Sequence, residues 1–253
     1  MRAAQNRGAQ QPGCRSEAST QPLAFTVRAW AAWTETGALA HGAAGMADEP
    51  PPALLRRRVG PLGQHALRLA WGIGCSGQAR LVASSRHGEF RRTLGILDSI
   101  IAAEGVSPAE FTLSVHHALA GLLSIARGNR RGHTAVAAGP ESFCFGFLEA
   151  ACCLAENPAE PVLLMHYDEM LPEPFTRFAG ETGPAMALVV ALAAGGPGEA
   201  MTLRLAPGTP AGAAVADSLA GGFCRFLGDP AARDFSAAGA RLTWQWSRHA
   251  APH

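Results

Sequence analysis

The chain is 253 residues long, 48% hydrophobic and 16% charged, which suits one large or two small globular domains and excludes a mostly disordered polypeptide. Its 21 basic and 20 acidic residues leave a formal charge of +1, so no broad basic field exists to hold nucleic acid. All the cations are arginine, and that excludes a lysine nucleophile or Schiff base. Residues 1–21 are rich in Gln, Gly, Ala and Ser and read as a disordered tail without the apolar core of a secretory signal; residues 22–250 read as a single domain. A first strand is expected over Leu23–Trp33, followed by a Gly/Ala/Pro loop over Thr36–Pro52. Leu62, Ala66 and Leu69 at helical spacing predict a helix over Leu62–Trp71, then a strand over Ala79–Ser84 and an amphipathic helix over Phe90–Glu104. A largely apolar helix is expected over Ser114–Ile125, a buried strand over His133–Ala138, and a helix from Glu141 to Ala155. Pro140 and Glu141 suit that last helix's first turn. Val162–Tyr167 reads as a buried strand, Ala185–Ala191 with Met201–Leu205 as a hairpin, Ala211–Leu227 as a helix and Leu242–Trp246 as a closing strand. The alternation predicts an α/β layered domain with parallel strand pairs.

Motifs that carry chemistry are few. Gly72-Ile73-Gly74-Cys75-Ser76-Gly77 spells G-x-G-x-x-G, but that fingerprint needs a strand before it and a helix after it, and here the order is reversed; it reads as a loop, and no cofactor is expected. The cysteines (Cys14, Cys75, Cys144, Cys152, Cys153, Cys224) are irregularly spaced with no C-x-x-C, which suits reduced thiols in a cytoplasmic protein. His116 and His117 are adjacent and diverge on a helix by about 100°, and the nearby ligand candidates His133 and Cys144 form no H-x-x-x-H or H-E-x-x-H spacing with them, so no metal is expected. A nucleophile belongs at a strand-to-helix junction; here that junction is Ala138-Gly139-Pro140, and Cys144 lies a turn too late. No apolar run reaches the roughly 18 residues of a membrane span. Arg56, Arg57 and Arg58, and separately Arg127, Arg130 and Arg131, are either solvated clusters or contacts for an acidic partner.

Several blocks in order carry a family resemblance. Leu81–Glu89 contains Ser85-Arg86-His87-Gly88-Glu89, and Ser107-Pro108 leads through Phe111 and Ser114 to Val115-His116-His117-Ala118. Ala137-Ala138-Gly139 is followed by Glu141-Ser142-Phe143, Tyr167-Asp168-Glu169 by Leu171-Pro172, and Trp244 pairs with Trp246 near the end. Together they resemble the β-ketoacyl synthase-like N-terminal domain family over Leu23–Arg248, with His117 where the family usually has Asn.

The resemblance implies the N-terminal half of a thiolase-like fold: a five-stranded, mostly parallel sheet in order 3-2-1-4-5, helices on both faces, and residues 133–138 at an edge. It further implies similarity to chain-length-factor-like subunits of aryl polyene and related fatty acid or polyketide synthases. Such a subunit is non-catalytic: the position near Gly139 lacks the nucleophilic Cys, and the catalytic His or Lys partners belong to a C-terminal half. The expected partners are a catalytic ketosynthase, forming a heterodimer, and acyl carrier protein. Ser114, His116, His117, Glu141, Ser142 and Phe143 are the tunnel or interface candidates, and the two Arg clusters are the carrier-protein candidates. The alternatives are a residual acyl-thioester hydrolase or acyltransferase using His116 or His117 with Ser114 or Cys144, and a stand-alone acyl or carrier-protein binding module.

Overall fold

The structure is a computed structural model, and it describes residues 21–35, 39–41, 46–47, 49–178, 184–208 and 218–249. The expected tail lies outside these residues apart from residue 21, as does the stretch 211–217 of the expected late helix. In chain order the elements are β1 (Leu23–Thr34), β2 (Leu39–His41), α1 (Ala53–Arg56), α2 (Pro61–Gly72), β3 (Arg80–Ser84), α3 (Phe90–Ile101), α4 (Pro108–Leu113), α5 (Ala118–Arg127), β4 (His133–Val136), α6 (Ser142–Glu156), β5 (Val162–Asp168), β6 (Met186–Ala193), β7 (Glu199–Pro207), α7 (Leu219–Gly228), β8 (Asp234–Ala238) and β9 (Leu242–Arg248).

The strands form one nine-stranded sheet in the order β4-β3-β5-β6-β1-β7-β9-β8, with β2 added on β1. The α/β class with helices on both faces stands, but the sheet has nine strands, not five, and it is mostly antiparallel. Only β4, β3 and β5 run parallel; β5–β6, β6–β1, β1–β7, β7–β9 and β9–β8 are antiparallel. The expected hairpin is also corrected. β6 and β7 do not pair with each other, because β1 lies between them and bonds to both. The implied order 3-2-1-4-5 is likewise replaced, although β4 does occupy an edge.

Alternation along the central strands builds two cores. On β6 the large Met186, Leu188, Val190 and Leu192 enter one core, while the smaller Ala187, Val189 and Ala191 enter the other. β5 divides the same way, with Leu164 on one side and Leu163, Met165 and Tyr167 on the other. Period-two side-chain direction requires this split in a strand covered on both faces. β1 shows the rule through its exception. Phe25 and Val27 share a face with Trp30 and Ala32, an odd-to-even change that coincides with the register shift between Val27 and Ala29; one extra residue swaps the facing of all that follow. α6 and α7 cover the first face, and Phe143, Phe147 and Phe223 interlock there with Trp246 at 5.1–6.3 Å between ring centroids. α2 and α5 cover the second through Leu62, Leu67, Leu69, Leu119 and Leu123.

Two further expectations change. The helix expected over Ser114–Ile125 starts later, as α5 at Ala118, after α4 ends at Leu113, so Ser114, His116 and His117 sit between the two helices. Ser107 caps α4 by accepting from the Glu110 N–H, with Pro108 in the first turn, as helix-start chemistry favours. The strand expected over His133–Ala138 is shorter and not buried: His133 is exposed and Thr134, Ala135 and Val136 are half-buried, because β4 bonds only to β3 and leaves its other side open.

Candidate functional site

The three parallel strands end on one side of the sheet, at Ser84, Val136 and Asp168. In α/β sheets the loops beyond such carboxyl ends form the usual site. Here they are residues 85–89, residues 137–141 and the stretch starting at Glu169.

Asp168 organises the first loop. Its carboxylate accepts from the Ser85 hydroxyl at 3.1 Å, the Arg86 N–H at 3.0 Å and the His87 N–H at 3.2 Å. Ser85 Oγ in turn accepts from the Gly88 N–H at 2.7 Å, so a side chain from β5 and one from the loop together fix residues 85–88. Beneath them Ser84 and His166, register partners on β3 and β5, face each other with Oγ and Nδ1 3.0 Å apart. Burial holds His166 below the usual imidazole range. α6 lies close on this pair at Gly146, where a Cβ would come within 2.5 Å of Ser84 Cβ.

The second loop is a strand-to-helix elbow. Gly139 has φ +57, in the left-handed region, a conformation that costs other residues roughly 1–2 kcal/mol. A Cβ placed there would meet nothing within 4 Å, so the elbow tip is open. Ser142 closes the turn from inside, donating to the Gly139 carbonyl at 2.7 Å and accepting from the Ala138 N–H at 2.9 Å. Glu141 ties the elbow to the β8–β9 turn, accepting from the Ala240 N–H at 3.0 Å and from Trp244 Nε1 at 2.9 Å. Phe143 points into the aromatic core and is 2% exposed. Thus Glu141 and Ser142 build the elbow, and Phe143 anchors it. The elbow is fully formed, and Gly139 at its tip carries no side chain.

The remaining candidates disperse. The His116 ring packs over Gly88, and Nε2 of both His116 and His87 is buried without a hydrogen bond. His87 is held low by burial, with Asp168 opposing. His117 begins α5 and lies 5.8 Å from the exposed His133 ring. Ser114 donates to the Phe111 carbonyl. Cys144 is fully buried, and burial, with Glu141 next, pushes its thiol well above the usual range. Among the described residues no hydrogen bond joins Ser114 or Cys144 to a histidine, and no cluster of three metal-ligating side chains occurs.

The Arg clusters are not equivalent. Arg127 lies 3.4 Å from the Trp71 ring centroid and donates to the Trp71 carbonyl, and Arg131 faces Glu160 at 3.8 Å. Arg56 donates to the Pro51 carbonyl, and Arg56, Arg57, Arg58 and Arg130 are all exposed. The clusters flank opposite ends of the twelve-residue α2, a length of about 18 Å, so they do not form one patch.

Residues 30–247 match the family model described as Beta-ketoacyl synthase, N-terminal domain. The chain belongs to this family. A search of curated proteins found no match. Among solved structures, this β-ketoacyl synthase N-terminal domain chain is similar to a chain from a ketosynthase (ApeO) in complex with its chain length factor (ApeC) from Xenorhabdus doucetiae, with TM-score 0.69 and 22% identity over 89% of this chain and 100% of that one. It is also similar to the ishigamide ketosynthase/chain length factor, with TM-score 0.56 and 13% identity over 73% and 67% of the two chains. For a β-ketoacyl synthase from Burkholderia phymatum STM815 the TM-score is 0.52 at 13% identity, and this chain spans 58% of that one's length and matches over 67% of its own. The fold is therefore the thiolase-like fold of ketosynthases. Asp168, Ser85 and Glu89 join the candidates at this end of the sheet, and the sequence signal for Asp168 is a charged residue closing an otherwise buried strand.

Proposed function

We propose that the chain is a non-catalytic, chain-length-factor-like subunit that docks on a catalytic ketosynthase as a heterodimer and shapes the acyl tunnel in aryl polyene or related fatty acid or polyketide synthesis. The observation that carries this reading is the elbow: strand, left-handed turn and helix are all formed, and the open tip is Gly139. The described thiols offer no substitute, because burial raises Cys75, Cys144, Cys152, Cys153 and Cys224 above the usual range, and the thiolate is the reactive form.

The docking surface is argued from what is left uncovered. α3 buries none of its residues, and Leu97, Ile100, Ile101, Phe111 and Ile125 are large apolar side chains 46–83% exposed. Beside α5 the open edge of β4 presents unpaired backbone groups, which a second chain can cover. Residues 22–250 act as one domain in this reading, and the setting is cytoplasmic. Acyl carrier protein would meet the assembled pair. Arg56, Arg57, Arg58, Arg130 and Arg131 are exposed cations, and Arg56→Glu with Arg57→Glu should weaken carrier-protein capture increasingly as salt falls. The test of function is reconstitution. A ketosynthase encoded beside this chain, supplied with carrier protein and extender units, should make products of defined length only when the chain is present. The chain alone should neither condense nor hydrolyse acyl-thioesters. Unchanged products without it would refute the proposal.

A further inference from the structure

A cavity of about 470 Å³ lies between the first turn of α2, α3 and the segment entering α4, within the roughly 300–1,000 Å³ of small-molecule sites. Its apolar wall includes Pro61, Leu62, Ile96 and Val106, and glycines at 60, 63, 88, 95 and 105 keep it open. Its charged groups are largely matched: Arg91 pairs with Glu169 at 3.3 Å and Arg92 with Glu110. Two polar groups stand apart. Glu89 sets its carboxyl oxygens against Gly60, the N-cap of α2, and Gly63 of its first turn, where a helix favours negative charge, although burial raises the Glu89 carboxyl. Tyr167, the chain's one tyrosine, is 2% exposed and lines the cavity, and its hydroxyl is buried with no hydrogen-bond partner. Burial raises the Tyr167 hydroxyl, and Glu89 and Asp168 nearby raise it further, so it stays a neutral donor.

A buried hydroxyl left unpaired costs roughly 1–3 kcal/mol, and a site built around one rejects ligands that cannot satisfy it. A carboxylate ligand would meet Glu89, while Arg91 and Arg92 are already engaged by Glu169 and Glu110. A plain hydrocarbon would fill the space and leave Tyr167 unsatisfied. An alcoholic or phenolic hydroxyl does what neither can, giving its proton to a carboxylate and accepting one from a phenol. We propose that this cavity binds an uncharged, largely apolar molecule through a hydroxyl group that donates to Glu89 and accepts from Tyr167. The proposal stands apart from the partner-subunit reading, since every wall belongs to this chain.

The test titrates the full chain, without ketosynthase, with three matched probes followed by NMR: 4-ethylphenol, ethylbenzene and 4-ethylbenzoate. 4-Ethylphenol should bind saturably and at least about tenfold more tightly than ethylbenzene, and 4-ethylbenzoate should not bind over the same range. Tyr167→Phe keeps the packed ring and should bring the phenol-to-hydrocarbon ratio to within about twofold while ethylbenzene affinity holds. Glu89→Gln keeps a hydrogen-bonding group at α2 and should admit 4-ethylbenzoate. Equal affinities in the native chain, no saturable phenol binding, or a ratio unmoved by Tyr167→Phe would overturn the proposal, as would continued rejection of 4-ethylbenzoate by Glu89→Gln. Failure here leaves ketosynthase docking untouched, and failure to dock leaves this titration readable.

Discussion

Replacing Asp168 with alanine removes the acceptor for three donors at once: the Ser85 hydroxyl and the backbone N–H groups of Arg86 and His87. A buried donor left without a partner costs about 1–3 kcal/mol. Ser85 is 2% exposed and cannot turn to solvent, whereas Arg86 and His87 are half-buried and recover part of the loss from water. The expected cost is therefore about 3 kcal/mol, near the low end of three such penalties. With a urea dependence of about 3 kcal/mol per molar for a chain of this size, the unfolding midpoint should fall by about 1 M. Asp168→Asn keeps one acceptor oxygen and should lose roughly half as much. The assay is equilibrium urea unfolding followed by tryptophan fluorescence, with amide exchange reporting on residues 85–88. An Asp168→Ala midpoint within about 0.2 M of the native protein would refute the claim that Asp168 holds this loop.

Gly139→Cys should place a thiol at the open elbow and add a site for iodoacetamide beyond the native thiols, of which Cys152 is exposed, at a stability cost of roughly 1–2 kcal/mol from the left-handed φ; no label at residue 139 in a peptide map would contradict an exposed elbow. His166 is buried and held below its ordinary value of 6.5, so the folded state binds fewer protons than the unfolded state. Stability should be full above about pH 6.5 and fall as pH drops below it, and His166→Asn should flatten that slope in urea midpoints measured from pH 8 to 5. Arg127→Ala should destabilise by about 1–2 kcal/mol through loss of the Trp71 contact, yet leave carrier-protein capture unchanged; a capture defect at native stability would assign Arg127 to docking.

The sequence makes the central strands legible because they obey one simple rule. Val162–Tyr167 and Ala185–Ala191 are apolar runs bounded by polar or turn residues, and burial on both faces of the sheet requires that pattern. What it hides is lateral order. β6 and β7 are adjacent in sequence with a Gly-rich turn, which is a hairpin signal, but β1 from the chain's start inserts between them, and no local pattern reports a pairing across more than 150 residues. The late start of α5, after residues 114–117, is hidden for a related reason: the His116 ring packs on Gly88, a tertiary contact that overrides an apolar helical periodicity. β8 carries no strand signal in the sequence because Asp234–Ala238 is short and buries only Ala237. At the site, Gly139 was visible as an elbow lacking a nucleophile. Asp168 was visible only as the polar end of an apolar strand, since its three donors lie about 80 residues away.

The uncovered face of α3 joins fold to function, and docking there is the central claim. Co-expression of the full chain with the ketosynthase encoded beside it, followed by light scattering on the purified complex, tests that claim most directly. A one-to-one heterodimer is predicted, together with its dissociation by Leu97→Asp combined with Ile101→Asp in a chain whose urea midpoint is unchanged. A chain that stays monomeric at high concentration and shows no affinity for that ketosynthase would contradict the account.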